Sequence, residues 1–126
     1  MIHDCMPLNA RMTTRSHQHG PAEESDETRA FWTGDVWRII PILREFRPDL
    51  EVMLIDCPPT GLVICRNLDP RSTRLMFSYE KIVEKYSSLL MEDYGLGRIW
   101  STFPYLSSRK ILEDPRLFCE LIGFRA

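Results

Sequence analysis

No apolar run in this chain of 126 residues approaches the roughly 18 residues that a membrane span needs. Charge of neither sign dominates: 16 Lys and Arg against 18 Asp and Glu leave a net −2. That is too little to draw the chain toward nucleic acid or an anionic membrane surface. The N-terminus has no basic stretch leading into an apolar one, so no secretory signal is expected. No two of the cysteines Cys5, Cys57, Cys65 and Cys119 form a C-x-x-C pair, which removes a zinc knuckle or a dithiol redox motif. Cys57 and Cys65 flank a turn signal and could lie close on paired strands. Reduced, packed thiols in a cytoplasmic protein are the expectation.

What is present is ordinary for a globular chain, with 44% hydrophobic and 27% charged residues. The length suits one domain or one part of a larger one. Residues 13–30, "TTRSHQHGPAEESDETRA", have no hydrophobic period and read as a flexible polar loop. They separate a short first segment, 1–12, from the remainder, 31–126.

Within that remainder, "TGDVWRIIPILREFRPD" sets Val36, Ile39, Ile40, Leu43 and Phe46 at helical spacing. A helix over 35–47 follows, with Asp35 as its cap and a kink at Pro41. "LEVMLIDC" (50–57) is a nearly continuous apolar run that reads as a strand covered on both faces. "PPTG" then turns the chain into "LVICRN", so 50–57 and 61–67 form an antiparallel hairpin. "RLMFSYEKIVEKYSSLL" carries Leu75, Tyr79, Ile82, Val83, Tyr86 and Leu90 on one stripe, an amphipathic helix. "EDPRLFCELIG" suits a last short helix, with Asp114 as cap and Pro115 in the first turn. The opening "MIHDCMP" has the vocabulary of a strand end and supplies the stub of a third strand.

The order of "HDCMP", "GDVWR", "RPDLEVMLIDCPPTGL" and "NLDP" resembles the closing part of bacterial class I S-adenosylmethionine-dependent methyltransferases. The resemblance covers roughly residues 2–90 and implies an α/β fold, a partial Rossmann-like methyltransferase sheet. In it, a strand ending in a His-Asp motif at the active-site rim is followed by a helix and an antiparallel hairpin of the last two strands, with C-terminal helices after them. It also implies S-adenosylmethionine as the family's cofactor and a small-molecule methyl acceptor as its partner.

One departure matters physically. The family's cofactor sits on a Gly-rich turn after its first strand, where glycine lets backbone approach the ligand. No G-x-G-x-x-G exists here, and Gly95 and Gly97 in "DYGLGRIW" follow a helical segment. The chain therefore reads as the C-terminal half of such an enzyme, begun at an internal Met or left by truncation. No cofactor-binding residue and no bound cofactor are expected in it, and it should be inactive alone and marginally stable.

His3 and Asp4 are the candidate catalytic residues. The imidazole could take a proton from a hydroxyl nucleophile, while the carboxylate orients it or binds a divalent ion. His17 and His19 could join His3 at a metal, but unspaced loop histidines read better as solvated, and no metal site is assigned. Trp32 and Trp37 could line a substrate pocket or pack a helix on the sheet. Arg66, Asn67 and Asp69 suit a substrate contact or turn chemistry equally. The rival to a methyltransferase fragment is a small protein-interaction module without catalytic activity. Its half-sheet would leave an open edge for self-association.

Overall fold

The fold is built outward from its strongest strand signal. The computed structural model describes residues 1–14 and 32–123. Glu51–Ile55 (β2) and Leu62–Arg66 (β3) form the expected antiparallel hairpin, in register from Glu51 opposite Arg66 to Ile55 opposite Leu62. Val52, Leu54, Ile55, Val63 and Ile64 are buried, so the apolar run is covered as its lack of alternation implies. Ile2–His3 (β1) pairs antiparallel with β3, Ile2 opposite Val63 and His3 opposite Leu62.

The expected three-strand sheet is a four-strand mixed one. Tyr105–Leu106 (β4) runs parallel to β2 at Leu54 and Ile55, giving the order β1-β3-β2-β4. Nothing periodic marks this pair of residues. Backbone bonding makes them a strand, with the Leu54 N–H donating to the Pro104 carbonyl at 2.9 Å.

The first helix also differs from its expected form. Gly34–Arg38 winds as a 3-10 helix, and an α-helix, Ile39–Phe46 (α1), continues from it. Pro41 thus falls in the first α-helical turn, where its missing N–H breaks no bond. The change of helix type lies ahead of the proline. The tighter winding also rotates the face. Val36 is exposed and Trp37 takes its place in the core, beside the expected Ile40 and Leu43, with Ile39 packed against them. Thr33, not Asp35, holds the N-cap position; Asp35 lies in the first turn and pairs with Arg38 at 3.0 Å.

The helix expected over 74–90 is two, Arg74–Phe77 (α2) and Tyr79–Tyr86 (α3), divided at Ser78. Of the predicted stripe only Tyr86 is buried, while Tyr79, Val83 and Leu90 are exposed. The core is closed instead by Met91 of Met91–Tyr94 (α4) and Ile99 of Leu96–Ser101 (α5). Ser108–Glu113 (α6) and Arg116–Ile122 (α7) bury no side chain. In α7 the Asp114 carboxylate accepts the Arg116 N–H at 3.2 Å, and Pro115 is the N-cap residue.

Two polar ties fasten the first helix to α3 and the residues that follow it, one from the 3-10 helix and one from α1. The Arg38 guanidinium donates to the Leu89 carbonyl at 3.0 and 2.6 Å and to the Ser87 carbonyl at 2.9 Å. Glu45 Oε2 accepts from Lys85 Nζ and from the Tyr86 hydroxyl, both at 2.6 Å.

The lysine first, then the tyrosine hydroxyl, hold the Glu45 carboxyl below its ordinary range, against a smaller upward push from burial. A depressed carboxylate stabilises the fold above its unfolded value of about 4.3, and the contribution disappears as pH falls through the lower folded value. The urea midpoint is therefore expected to drop as pH falls from about 5, and to drop less in Glu45→Gln. Equal acid slopes in the two proteins would show that the tie does not link α1 to α3.

Gly61 generates a second expectation. Its φ is +68°, and a Cβ there would lie 2.4 Å from both Cβ and Cγ of Met6. Gly61→Ala is expected to cost at least about 1–3 kcal/mol of unfolding free energy from backbone strain alone. Denaturant unfolding checks this: a loss within that range would mean that Met6 moves aside freely, and a loss below it would mean that alanine carries no strain at this position.

Candidate functional site

β1 ends where the hairpin turns, and this junction carries the catalytic candidates. Asp4 has φ +60°, a left-handed conformation that Asp adopts more readily than most side chains. Such a backbone persists only where its surroundings over-determine it. Here both carboxylate oxygens are engaged: Oδ2 lies 2.9 Å from His3 Nδ1, and Oδ1 accepts the Thr60 hydroxyl at 2.5 Å. His3 is well exposed, and Asp4 is partly so. With Nδ1 facing the carboxylate, Nε2 is the ring nitrogen available to a ligand's proton.

The hairpin turn supplies the other half of the junction. The Met6 N–H donates to the Thr60 carbonyl and the Gly61 N–H to the Cys57 carbonyl, both at 2.8 Å. The Pro58–Pro59 peptide is cis. Thr60 is buried, and Met6 packs into the space that Gly61 leaves open. Cys5, between the catalytic candidate and Met6, is fully buried, and burial pushes its thiol up to about 12. Thr60 is the residue that sequence reasoning missed. It stands 56 positions from Asp4, and no local pattern links the two.

The remaining candidates do not converge on His3. Arg66 lies at the opposite end of β3, about 13 Å away at strand rise, and faces Glu51 at 3.7 Å. Asn67 donates to the Asp49 carbonyl, and the Asp69 carboxylate accepts the Arg71 N–H. All three serve turn and strand-end structure. Cys65 pairs across from Val52 while Cys57 sits in the turn beyond Ile55, so the two thiols lie at different ends of the hairpin. His17 and His19 lie outside the described residues. Among the described residues no group of His, Cys, Asp or Glu is arranged to hold a metal, and the Asp4 oxygens are already committed to His3 and Thr60.

Trp37 is a core residue that also lines a cavity of about 710 Å³ between two 3-10 helices, Ala10–Thr13 and Gly34–Arg38, and residues 87–92. Neither His3 nor Asp4 lines that cavity. Trp32 is held instead by its Nε1–H, which donates to the Thr14 carbonyl at 2.6 Å.

A cradle of the kind the resembled family uses for S-adenosylmethionine is a strand followed by glycine-opened backbone. The approach that Gly61 permits is filled by Met6, and Gly95 stands between α4 and α5.

Coupling between Asp4 and Thr60 is measurable. Thr60→Val and Asp4→Ala are each expected to cost about 1–2 kcal/mol in denaturant unfolding. The double variant should lose less than the sum, because each change removes the same bond. Strict additivity would show that the bridge contributes nothing.

Comparison with known proteins finds no matching family model, no matching curated protein and no matching solved structure.

Proposed function

We propose that this chain is the closing part of a class I S-adenosylmethionine-dependent methyltransferase, carrying a proton acceptor at the rim of the acceptor site and not the cofactor cradle. The observation that carries the reading is the Asp4 carboxylate, which bridges the His3 imidazole and the Thr60 hydroxyl on a left-handed backbone. The order of elements supports it as well: a strand ending in His-Asp, a helix, then a hairpin whose second strand lies beside the first strand. In this reading Nε2 of His3 takes the proton of a hydroxyl on a small-molecule acceptor. Asp4 keeps Nδ1 protonated and offsets the charge that develops on the ring.

Calorimetric titration of the 126-residue chain with S-adenosylmethionine is expected to give no saturable heat. Saturation at micromolar concentration would put the cradle in this chain and overturn the division of roles. In an enzyme joining these residues to a Gly-rich strand–turn–helix half, His3→Ala should slow methyl transfer by about 10²–10⁴-fold at little changed acceptor KM. An unaltered kcat would remove His3 from the reaction.

A second reading, an interaction module without catalytic activity, is favoured by one observation. Leu68, Met76, Phe77 and Tyr79 are each more than 60% exposed, Phe77 at 80%, far from the burial that such side chains ordinarily reach. Beside β1, moreover, β3 is paired at Val63 and Leu62 only, which leaves edge groups for another chain. Concentration-dependent sedimentation of the purified chain, abolished by Phe77→Glu or by a proline in β1, would favour this reading.

A further inference from the structure

A cavity of about 360 Å³ lies between α1, the end of α3 and the α4–α5 segment. It is separate from the His3–Asp4 junction. Arg44 of α1 stands over the Phe103 ring, 5.9 Å from its centroid, and Arg98 of α5 stands over the Tyr94 ring at 4.5 Å. Both arginines line the cavity. Among the described residues neither guanidinium is in an ion pair with a carboxylate.

The other charges of the wall are accounted for. Lys85 is committed to Glu45, whose Oε2 also holds the Tyr86 hydroxyl. Asp93 is then the uncommitted carboxylate against two uncommitted guanidiniums, an excess of one positive charge. A cation–π contact restrains each guanidinium, Arg98 at 4.5 Å more closely than Arg44 at 5.9 Å, so less freedom is lost when its N–H donors are used. Guanidinium forks match oxyanions, and they bind them by paired charge-assisted hydrogen bonds. A carboxylate has two oxygens and is filled by one fork. A phosphoryl group has three and can engage both.

We propose that this cavity binds a phosphoryl-bearing ligand through Arg44 and Arg98. The cavity is large enough for a small phosphorylated molecule, and the ligand's dianion would meet its charge in the two forks. The assignment is independent of the methyltransferase reading, since it uses no residue of β1 or the hairpin turn.

The test is titration of the full chain with inorganic phosphate at low ionic strength, followed by amide chemical shifts of the residues around Tyr94. Saturable shifts are expected, and added chloride should weaken them through screening. Arg44→Gln and Arg98→Gln should each raise the apparent Kd about tenfold, and acetate should bind more weakly than phosphate by a similar factor. Arg98→Lys, which keeps the charge and the fold but not the fork, should fall between the parent and Arg98→Gln. The proposal is overturned by the absence of saturable shifts, by glutamine variants that bind as the parent does, or by acetate binding as tightly as phosphate.

Discussion

The position of β1 depends on what the hairpin turn does to it. A strand paired at two residues gains little from its ladder, since one backbone hydrogen bond nets only about 1 kcal/mol. The turn adds what the ladder lacks. Thr60 offers its carbonyl to Met6 and its hydroxyl to Asp4, and Gly61 leaves a space the size of a methyl group that Met6 fills. Through these contacts a flanking tripeptide is set against the sheet, and the geometry of His3 with it. A bulkier residue at 61 would push Met6 outward and take Asp4 along.

The C-terminal third supports the same junction from the other side. Met91 and Ile99 complete the core against Trp37, Ile40 and Leu54, and the Trp100 indole N–H reaches the Pro7 carbonyl at 3.3 Å. Asp56, at the end of β2, accepts the Ser108 N–H. Burial raises that carboxyl, but hydrogen bonds from the Ser108 N–H and from the Ser107 and Ser108 hydroxyls outweigh it and hold the group low. The sheet's exit is thereby anchored to α6 just as its entry is anchored to the turn. A segment with no resemblance to draw on thus closes the core around residues that have one.

Legibility followed the reach of each signal. The hairpin was readable because both of its strands and its turn lie within 16 consecutive positions and each has a local signature. The first helix was readable in place but not in the winding of its start, because periodicity marks a helical face without saying whether the first turns are 3-10 or α. The stripe of 75–90 misled for a different reason. Periodicity reports an amphipathic face, not which neighbour covers it, and Met91 and Ile99 took the available core surface. β4 carries no periodic pattern and is defined by its backbone pairing with β2. In the site, His3 and Asp4 stood out as adjacent titratable residues. Thr60, Arg44 and Arg98 did not, because their roles come from contacts made across the fold.

Cys5 gives this arrangement a chemical consequence of its own. Its side chain is fully covered, and burial keeps the thiol protonated far above neutral pH, so an alkylating reagent finds no thiolate to attack while the junction is closed. An opening that lifts β1 from the turn would expose it, and local openings occur with free energies below that of global unfolding. The residue next to the candidate proton acceptor is therefore a natural clock, whose modification rate counts how often the rim of the site comes apart.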